Sequence, residues 1–421
     1  LDEDFMVKAH ITMPKEHINN LYSWLLNFQI FNDQYKRRYD ASKQYDENDI
    51  FIFFDPTWRH PDYPDGLAFF DTKHNCAAIL GMSYFGEIKK GTLTLAWATA
   101  ARNNYVSCHG GLKIFRKEGA SYVASFFGLS GSGKSTLTHA KHDDKYDIEV
   151  LHDDAFVISV EDGSSVALEP SYFDKTNDYP AGHREQDYFV TVQNCGVTLD
   201  ENGRKVLVTE DIRNGNGRTV KSRYSTPNRV DKIQEPIQSI FWIMKDDALP
   251  PLVKITDPRL ASILGCTLMT KRSNAENTGA GANLDALVIE PYANPFRVYP
   301  LVEDYEKFKA LFDKGVDCYI INTGDFLGKK VTKEVSLGVI ETVVDGKAKF
   351  ELFGGLPGME YLPVEGYEVP EMNGDYAALI RDRMQFRLDY LKAFNDANQE
   401  HQIPTDALES IKTIERFIDV L

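Results

Sequence analysis

Eight consecutive residues, Gly128-Leu129-Ser130-Gly131-Ser132-Gly133-Lys134-Ser135, carry the most specific chemistry in the chain. They fit GxxxxGK[ST], a spacing in which glycines let backbone N–H groups turn inward around phosphate oxygens. Lys134 then offers a mobile cation to the β and γ phosphates, and the Ser135 hydroxyl suits Mg²⁺. An apolar run at 123–127 precedes the motif, and a helix-competent stretch containing Thr136 follows it, the strand, loop and helix order that a phosphate loop needs. A glycine-rich turn with a solvated lysine is the plainer reading, and those flanks weigh against it. Paired carboxylates, Asp153 and Asp154, end the apolar run at 150–151, where acids that hold the water ligands of Mg²⁺ sit. On its own such a pair would be solvated surface. The loop implies a nucleoside triphosphate but not a reaction, because kinases, ATPases and GTPases share it.

The elements that must position these residues follow from periodicity. Ile18, Leu21, Tyr22, Leu25 and Phe28 after Pro14 have helical spacing, and 50–54 reads as a buried strand followed by short strands at 66–70 and 76–81. From residue 115 the pattern becomes strand, glycine loop, helix, strand, with strands at 122–127 and 149–151 and a helix at 134–140. Residues 159–223 alternate short strands with turns at Asp162, Asn202 and Asn214, core strands recur at 239–244 and 318–322, and packing helices fill the tail from Asp375, the last at 411–421. The expected domains are an α+β lobe at 1–114 and a phosphate-loop lobe at 115–421 with a β-rich excursion at 159–230.

Composition bounds the partners. The 421 residues include 47 Lys+Arg against 63 Asp+Glu, a formal charge of −16, so attraction to nucleic acid or to anionic lipid is disfavoured and a bound anion must meet a local cationic cluster. No apolar run is long enough to span a membrane. Five scattered cysteines form no CxxC pair, which speaks against disulfides or a zinc ribbon and for a reducing cytoplasm.

Further motifs flank the loop. Tyr84-Phe85-Gly86-Glu87-Ile88-Lys89-Lys90-Gly91, Ser107-Cys108-His109, the loop itself and Asp153-Asp154 resemble, in order and spacing, the signature elements of ATP-dependent phosphoenolpyruvate carboxykinase. Tyr172-Phe173-Asp174-Lys175-Thr176 is similar to that family's phosphate-contacting lysine segment, Ser222-Arg223-Tyr224-Ser225 to its Asn-Thr-Arg segment, and Asn322-Thr323-Gly324 to its NTG strand end. The resemblance runs from about residue 80 to 357. It implies an α/β, two-lobed carboxykinase-like fold, and a reaction in which oxaloacetate loses CO₂ and ATP phosphorylates the resulting enolate. Mn²⁺ would be bound by Lys90, His109 and Asp154, and Mg²⁺ would accompany the nucleotide at Ser135. Lysine ligates a metal only as the neutral amine, so the metal and the neighbouring Lys89 charge must favour proton loss. The resemblance also implies that Lys89 and Arg223 neutralise the transferring phosphoryl group and the substrate carboxylate, while Tyr84 lines the pocket. Residues 128–136, Asp153, Lys175 and Lys330 would serve the nucleotide, with Ser130 and Lys134 at the transferring phosphate. Taken singly, a Lys-Lys pair is usually a solvated turn and a lone His a satisfied imidazole.

The chain departs from the family pattern at named places. No Arg-Ser-Pro segment precedes Tyr84, Ala155-Phe156 follows the acid pair where Glu-His is usual, Asp325 stands in place of a Trp, and Lys329-Lys330 replaces a Lys-Arg pair. Two explanations compete: a divergent or N-terminally shortened carboxykinase, or retained phosphoryl transfer with another small-molecule or protein acceptor. A noncatalytic nucleotide sensor is a third. The first is preferred, with a small-molecule substrate, no nucleic-acid or membrane partner, a monomer and a cytoplasmic location.

Overall fold

The computed structural model describes residues 2–176, 179, 182–183, 186–189, 195–209, 217–222, 228–271 and 286–420. They fold as an α/β protein whose chain divides into two compact units, each made of two stretches: Leu1–Thr99 with Val166–Asp231, and Ala100–Ser165 with Lys232–Leu421. This division differs from lobes at 1–114 and 115–421, because most of the β-rich excursion clusters with the N-terminal hundred residues.

The first unit is built on a sheet of order β1-β2-β4-β3, with β1 at Ala9–Thr12, β2 at Ile50–Asp55, β3 at Leu67–Asp71 and β4 at Cys76–Leu80. β1, β2 and β4 run parallel and β3 antiparallel. Helix α1 (Ile18–Phe28) follows a single 3₁₀ turn entered through Pro14, and α2 (Asp33–Ala41) is capped by the Asn32 side chain, which accepts from the Tyr35 N–H at 3.0 Å. Helix α3 (Phe85–Arg102) contributes Phe85, Ile88, Leu95 and Ala96 to a core shared with Trp24 of α1 and with Ile50, Ile52 and Phe54 of β2. Strand β2 was expected to be buried throughout. Instead it alternates, with Phe51 and Phe53 exposed, because the core lies against one face of the sheet only. The second stretch adds the antiparallel pair Ser171–Lys175 and Arg218–Ser222. The expected turn at Asn214 lies outside the described residues.

The second unit holds an eight-stranded mixed sheet. Its centre is β7 (Ala120–Phe127), Ser239–Met244 and Asp317–Asn322, all mutually parallel, flanked on one side by β6 (Gly111–Lys117) and β8 (Asp147–His152). Aromatic stacking runs across the centre, with Phe126 and Phe241 ring centroids 5.1 Å apart and Phe241 and Tyr319 4.9 Å apart. The tail helices form at Gly374–Ala397 and Thr405–Asp419, the latter starting six residues before the expected 411 because Pro404 opens it. No described helix is long and apolar enough to cross a membrane, and the five cysteines are free.

Beneath the helix that follows the phosphate loop, α4 (Lys134–His139), Lys113 of β6 is fully buried. Its ammonium donates to the carbonyls of Leu137 (2.6 Å) and Ala140 (3.1 Å), closing the helix end, and lies 3.0 Å from His142 Nε2. His142 Nδ1 in turn faces Glu341 at 2.9 Å. Burial pushes the Lys113 pKa down to about 7. Below pH 7 both folded and unfolded chains carry the charge, and the full cost of burying it opposes folding. Between about 7 and about 10 the unfolded chain binds more protons, so this group makes stability rise with pH. Lys113→Met removes that rise, and the urea midpoint of the parent climbs relative to that of the variant from pH 7 to 10.

Candidate active site: two clusters of charged side chains

In the second unit the phosphate loop lies between β7 and α4, where the central parallel strands end. Gly133 has φ 103°, a conformation that side chains rarely adopt. A Cβ at Gly128 would lie 2.4 Å from Ser132 Oγ and 2.9 Å from the Ile243 side chain, so this strand end admits only glycine. Two neighbouring strand ends tie the loop down. Lys245, just past Ser239–Met244, donates to the Gly131 carbonyl at 2.8 Å, and the Thr323 hydroxyl, just past Asp317–Asn322, donates to the Ser132 carbonyl at 2.7 Å. Leu129 and Ser132 are buried while Ser130, Ser135 and Thr136 are exposed, leaving their hydroxyls accessible. Thr323→Val removes one tie, worth about 0.5–1.5 kcal/mol. The unfolding midpoint should fall by the equivalent of that amount, and any nucleoside triphosphate held by the loop should bind about threefold to tenfold more weakly by calorimetric titration.

Sheet pairing brings His109 and Asp154 together. β5 (Tyr105–His109) pairs antiparallel with β9 (Ala155–Ser159), setting His109 opposite Ala155, and the Gly110 N–H donates to the Asp154 carbonyl at 3.1 Å. His109 Nε2 is 3.0 Å from Asp154 Oδ1 and 3.4 Å from Lys134 Nζ. Its Nδ1–H is committed to the Ala293 carbonyl at 2.6 Å, which fixes the ring and turns Nε2 towards the carboxylate and the ammonium. A lone pair there suits Lys134 but opposes the carboxylate, and a divalent cation shared by the imidazole and the acid would relieve that opposition. A nitrogen and an oxygen donor suit Mn²⁺ or a related ion. Among the described residues no three His, Cys, Asp or Glu side chains gather as a metal site.

His152, inside the acid motif, has a role that spacing does not disclose. Its Nδ1 accepts the backbone N–H groups of Asp154 (2.9 Å) and Ala155 (3.1 Å), shaping the turn that carries both acids. Asp153 lies 3.3 Å from His139 of α4. Burial would raise its pKa, but the His139 hydrogen bond and charge hold it well below the usual carboxylate range. Lys330 is exposed on a two-residue strand, its carbonyl accepting from the Tyr367 hydroxyl at 2.5 Å.

The first unit carries the other cluster. Lys89 and Lys90 lie in the second turn of α3. Lys89 is 2% exposed, 3.2 Å from the fully buried Glu169, and Glu169 also accepts from Asn27 of α1 at 2.6 Å. Lys90 is 5.7 Å from the Trp97 ring centroid. The Tyr84 hydroxyl accepts from Arg218 Nε at 3.2 Å, and Arg218 also stands over Phe173, 5.9 Å from its ring. Lys175 is directly across the strand pair from Arg218. Sequence reasoning missed Arg218, Glu169 and Asn27, since only their partners across the fold mark them. Arg223 lies outside the described residues.

A glycine loop closing a central parallel strand, with a cation and an acid–imidazole pair beside it, defines a nucleotide-binding α/β protein of the phosphate-loop class. Residues 31–372 match the family model described as phosphoenolpyruvate carboxykinase, and the chain belongs to that family. The phosphoenolpyruvate carboxykinase (ATP) of Aeropyrum pernix is 25% identical over 363 residues, covering 77% of this chain and 70% of that protein. Membership supports a general carboxykinase or phosphotransferase activity.

Proposed function

We propose that the protein converts oxaloacetate and ATP to phosphoenolpyruvate, CO₂ and ADP. The observation that carries this reading is the placement of His109 Nε2 within 3.4 Å of both Asp154 and the phosphate-loop lysine, Lys134. A plain ATPase has no evident use for an oriented imidazole at that point. The carboxylate β to the ketone leaves as CO₂, its bonding pair remains as the enolate, and the enolate oxygen takes the γ-phosphoryl group as ADP departs.

Loop N–H groups and Lys134 orient the triphosphate and offset the charge that spreads over the phosphoryl oxygens. Lys90, His109 and Asp154 would hold Mn²⁺ and Ser135 Mg²⁺, and these ions supply Lewis acidity towards the enolate and phosphoryl oxygens. The Ala293 carbonyl keeps the His109 proton on Nδ1, so Nε2 presents its lone pair. Arg223 and Lys175 would supply positive charge to substrate and phosphate, Tyr84 would line the substrate pocket and Lys330 would serve the nucleotide, whereas Lys89, expected to share the first role, is buried with its charge offset by Glu169. Arg218, bonded to Tyr84, would add a cation beside the pocket that Tyr84 lines.

The test is phosphoenolpyruvate formation from oxaloacetate with ATP and Mn²⁺. One phosphoenolpyruvate per ADP is the expected stoichiometry. ADP formed only with another acceptor would instead identify a kinase on the same scaffold, and tight ATP binding with no turnover would identify a sensor.

A further inference from the structure

The three segments that carry Asn27, Lys89 and Glu169 also line a cavity of about 110 Å³ in the first unit. Trp24 and Phe28 of α1 flank Asn27 in sequence, Thr92 and Ala96 follow Lys89 along α3, and Leu168 precedes Glu169. The remaining wall combines the aromatic rings of Phe5, Phe31, Tyr35 and Tyr39 with aliphatic side chains. A cavity of this size and lining is of the order that accepts a benzene-sized ring.

Most polar groups on the wall are already engaged. The Thr92 hydroxyl accepts from Trp24 Nε1 at 3.1 Å and donates to the Ile88 carbonyl at 2.8 Å. Lys8 pairs with Asp49 at 2.7 Å, and its ammonium lies 5.3 Å from the Tyr39 ring centroid. That ion pair cancels the net charge at the wall, which disfavours an ionic ligand. Gln29 closes α1 with φ 70° and ψ 149°, a backbone region that non-glycine residues seldom enter. Its Oε1 accepts from the Tyr35 hydroxyl at 3.3 Å, while its Nε2 has no partner among the described residues. The wall therefore offers aromatic faces and an amide donor, a pattern suited to a small neutral ring with one acceptor atom.

We infer that this cavity is a binding site for a small, uncharged aromatic molecule bearing one hydrogen-bond acceptor, and that its occupancy is transmitted to Lys89 through Asn27 and Glu169. A ring between Trp24 and Ala96 presses on α1 and α3 together, and Asn27 and Lys89 move with those helices against their common partner, Glu169. That such a ligand would regulate turnover rests on the carboxykinase reading. The site itself does not.

Phenol titrated into the full chain is the test, with no turnover in the readout. Saturable one-site heat is expected, with magnetisation transfer from phenol protons to Trp24 and Ala96. Ala96→Leu fills the cavity and should weaken binding about tenfold or more. The side-chain ¹⁵N signal of Lys89, assigned with Lys89→Arg, should shift on phenol addition. Absence of saturable binding, transfer to other residues, or undiminished affinity in a folded Ala96→Leu chain overturns the site. An unmoved Lys89 signal with phenol bound overturns the transmission. Should Ala96→Leu not fold, the transfer contacts in the unaltered chain decide.

Discussion

His109→Ala lowers the rate of phosphoenolpyruvate formation about a thousandfold and flattens its dependence on Mn²⁺. The side chain is mostly buried, its Nδ1–H is committed to Ala293, and its Nε2 faces both Asp154 and Lys134. Removing it takes a ligand from the proposed metal site and leaves a carboxylate and an ammonium without their shared neighbour. A loss of several kcal/mol of transition-state stabilisation is of that size. The fold should be untouched, because the β5–β9 backbone pairing does not depend on the ring. The check is a steady-state Mn²⁺ titration together with ATP affinity by calorimetry. A rate within a few-fold of the parent, with the same metal response, would sink the proposed function as it concerns this residue.

Glu169→Ala destabilises the protein by about 3–5 kcal/mol. Glu169 is fully buried and Lys89 nearly so, 3.2 Å apart, and truncating the acid strands an ammonium in the interior while the Asn27 amide loses its acceptor. Attraction between the pair is not itself the source of the figure. Much of it is the penalty for a buried charge left alone, so the double replacement Lys89→Met with Glu169→Leu should recover most of the loss. Urea unfolding followed by Trp fluorescence separates the two outcomes. A single variant as stable as the parent would mean that water reaches Lys89.

How much of this was readable beforehand depends on the range of the interaction. The phosphate loop was legible because its requirements are local: a strand, positive-φ glycines and a helix within a few residues. The central strands at Ser239–Met244 and Asp317–Asn322 announced themselves as short apolar runs, as strands covered on both faces do. Helix α3 did not. Residues 91–101 are buried on every side, so it shows no apolar stripe, and its Lys-Lys pair reads as a surface turn although Lys89 is inside. Glu169, Asn27 and Arg218 are defined by partners 80, 142 and 134 positions away, as in the Lys89, Glu169 and Tyr84 contacts, and spacing cannot encode that. The same holds for the units, since the return of Val166–Asp231 to the first hundred residues leaves no local mark.

That interleaving orders events during synthesis. The first unit has all its residues once position 231 leaves the ribosome, whereas the second still lacks Ser239–Met244, the strand that pairs with β7, and Asp317–Asn322, which pairs with Ser239–Met244. Until Ser239–Met244 emerges, β7 offers an unpaired edge to any nascent neighbour, a hazard of sheets whose strands are distant in sequence. Translational pausing between residues 127 and 239 should therefore favour aggregation, and pausing beyond 322 should not.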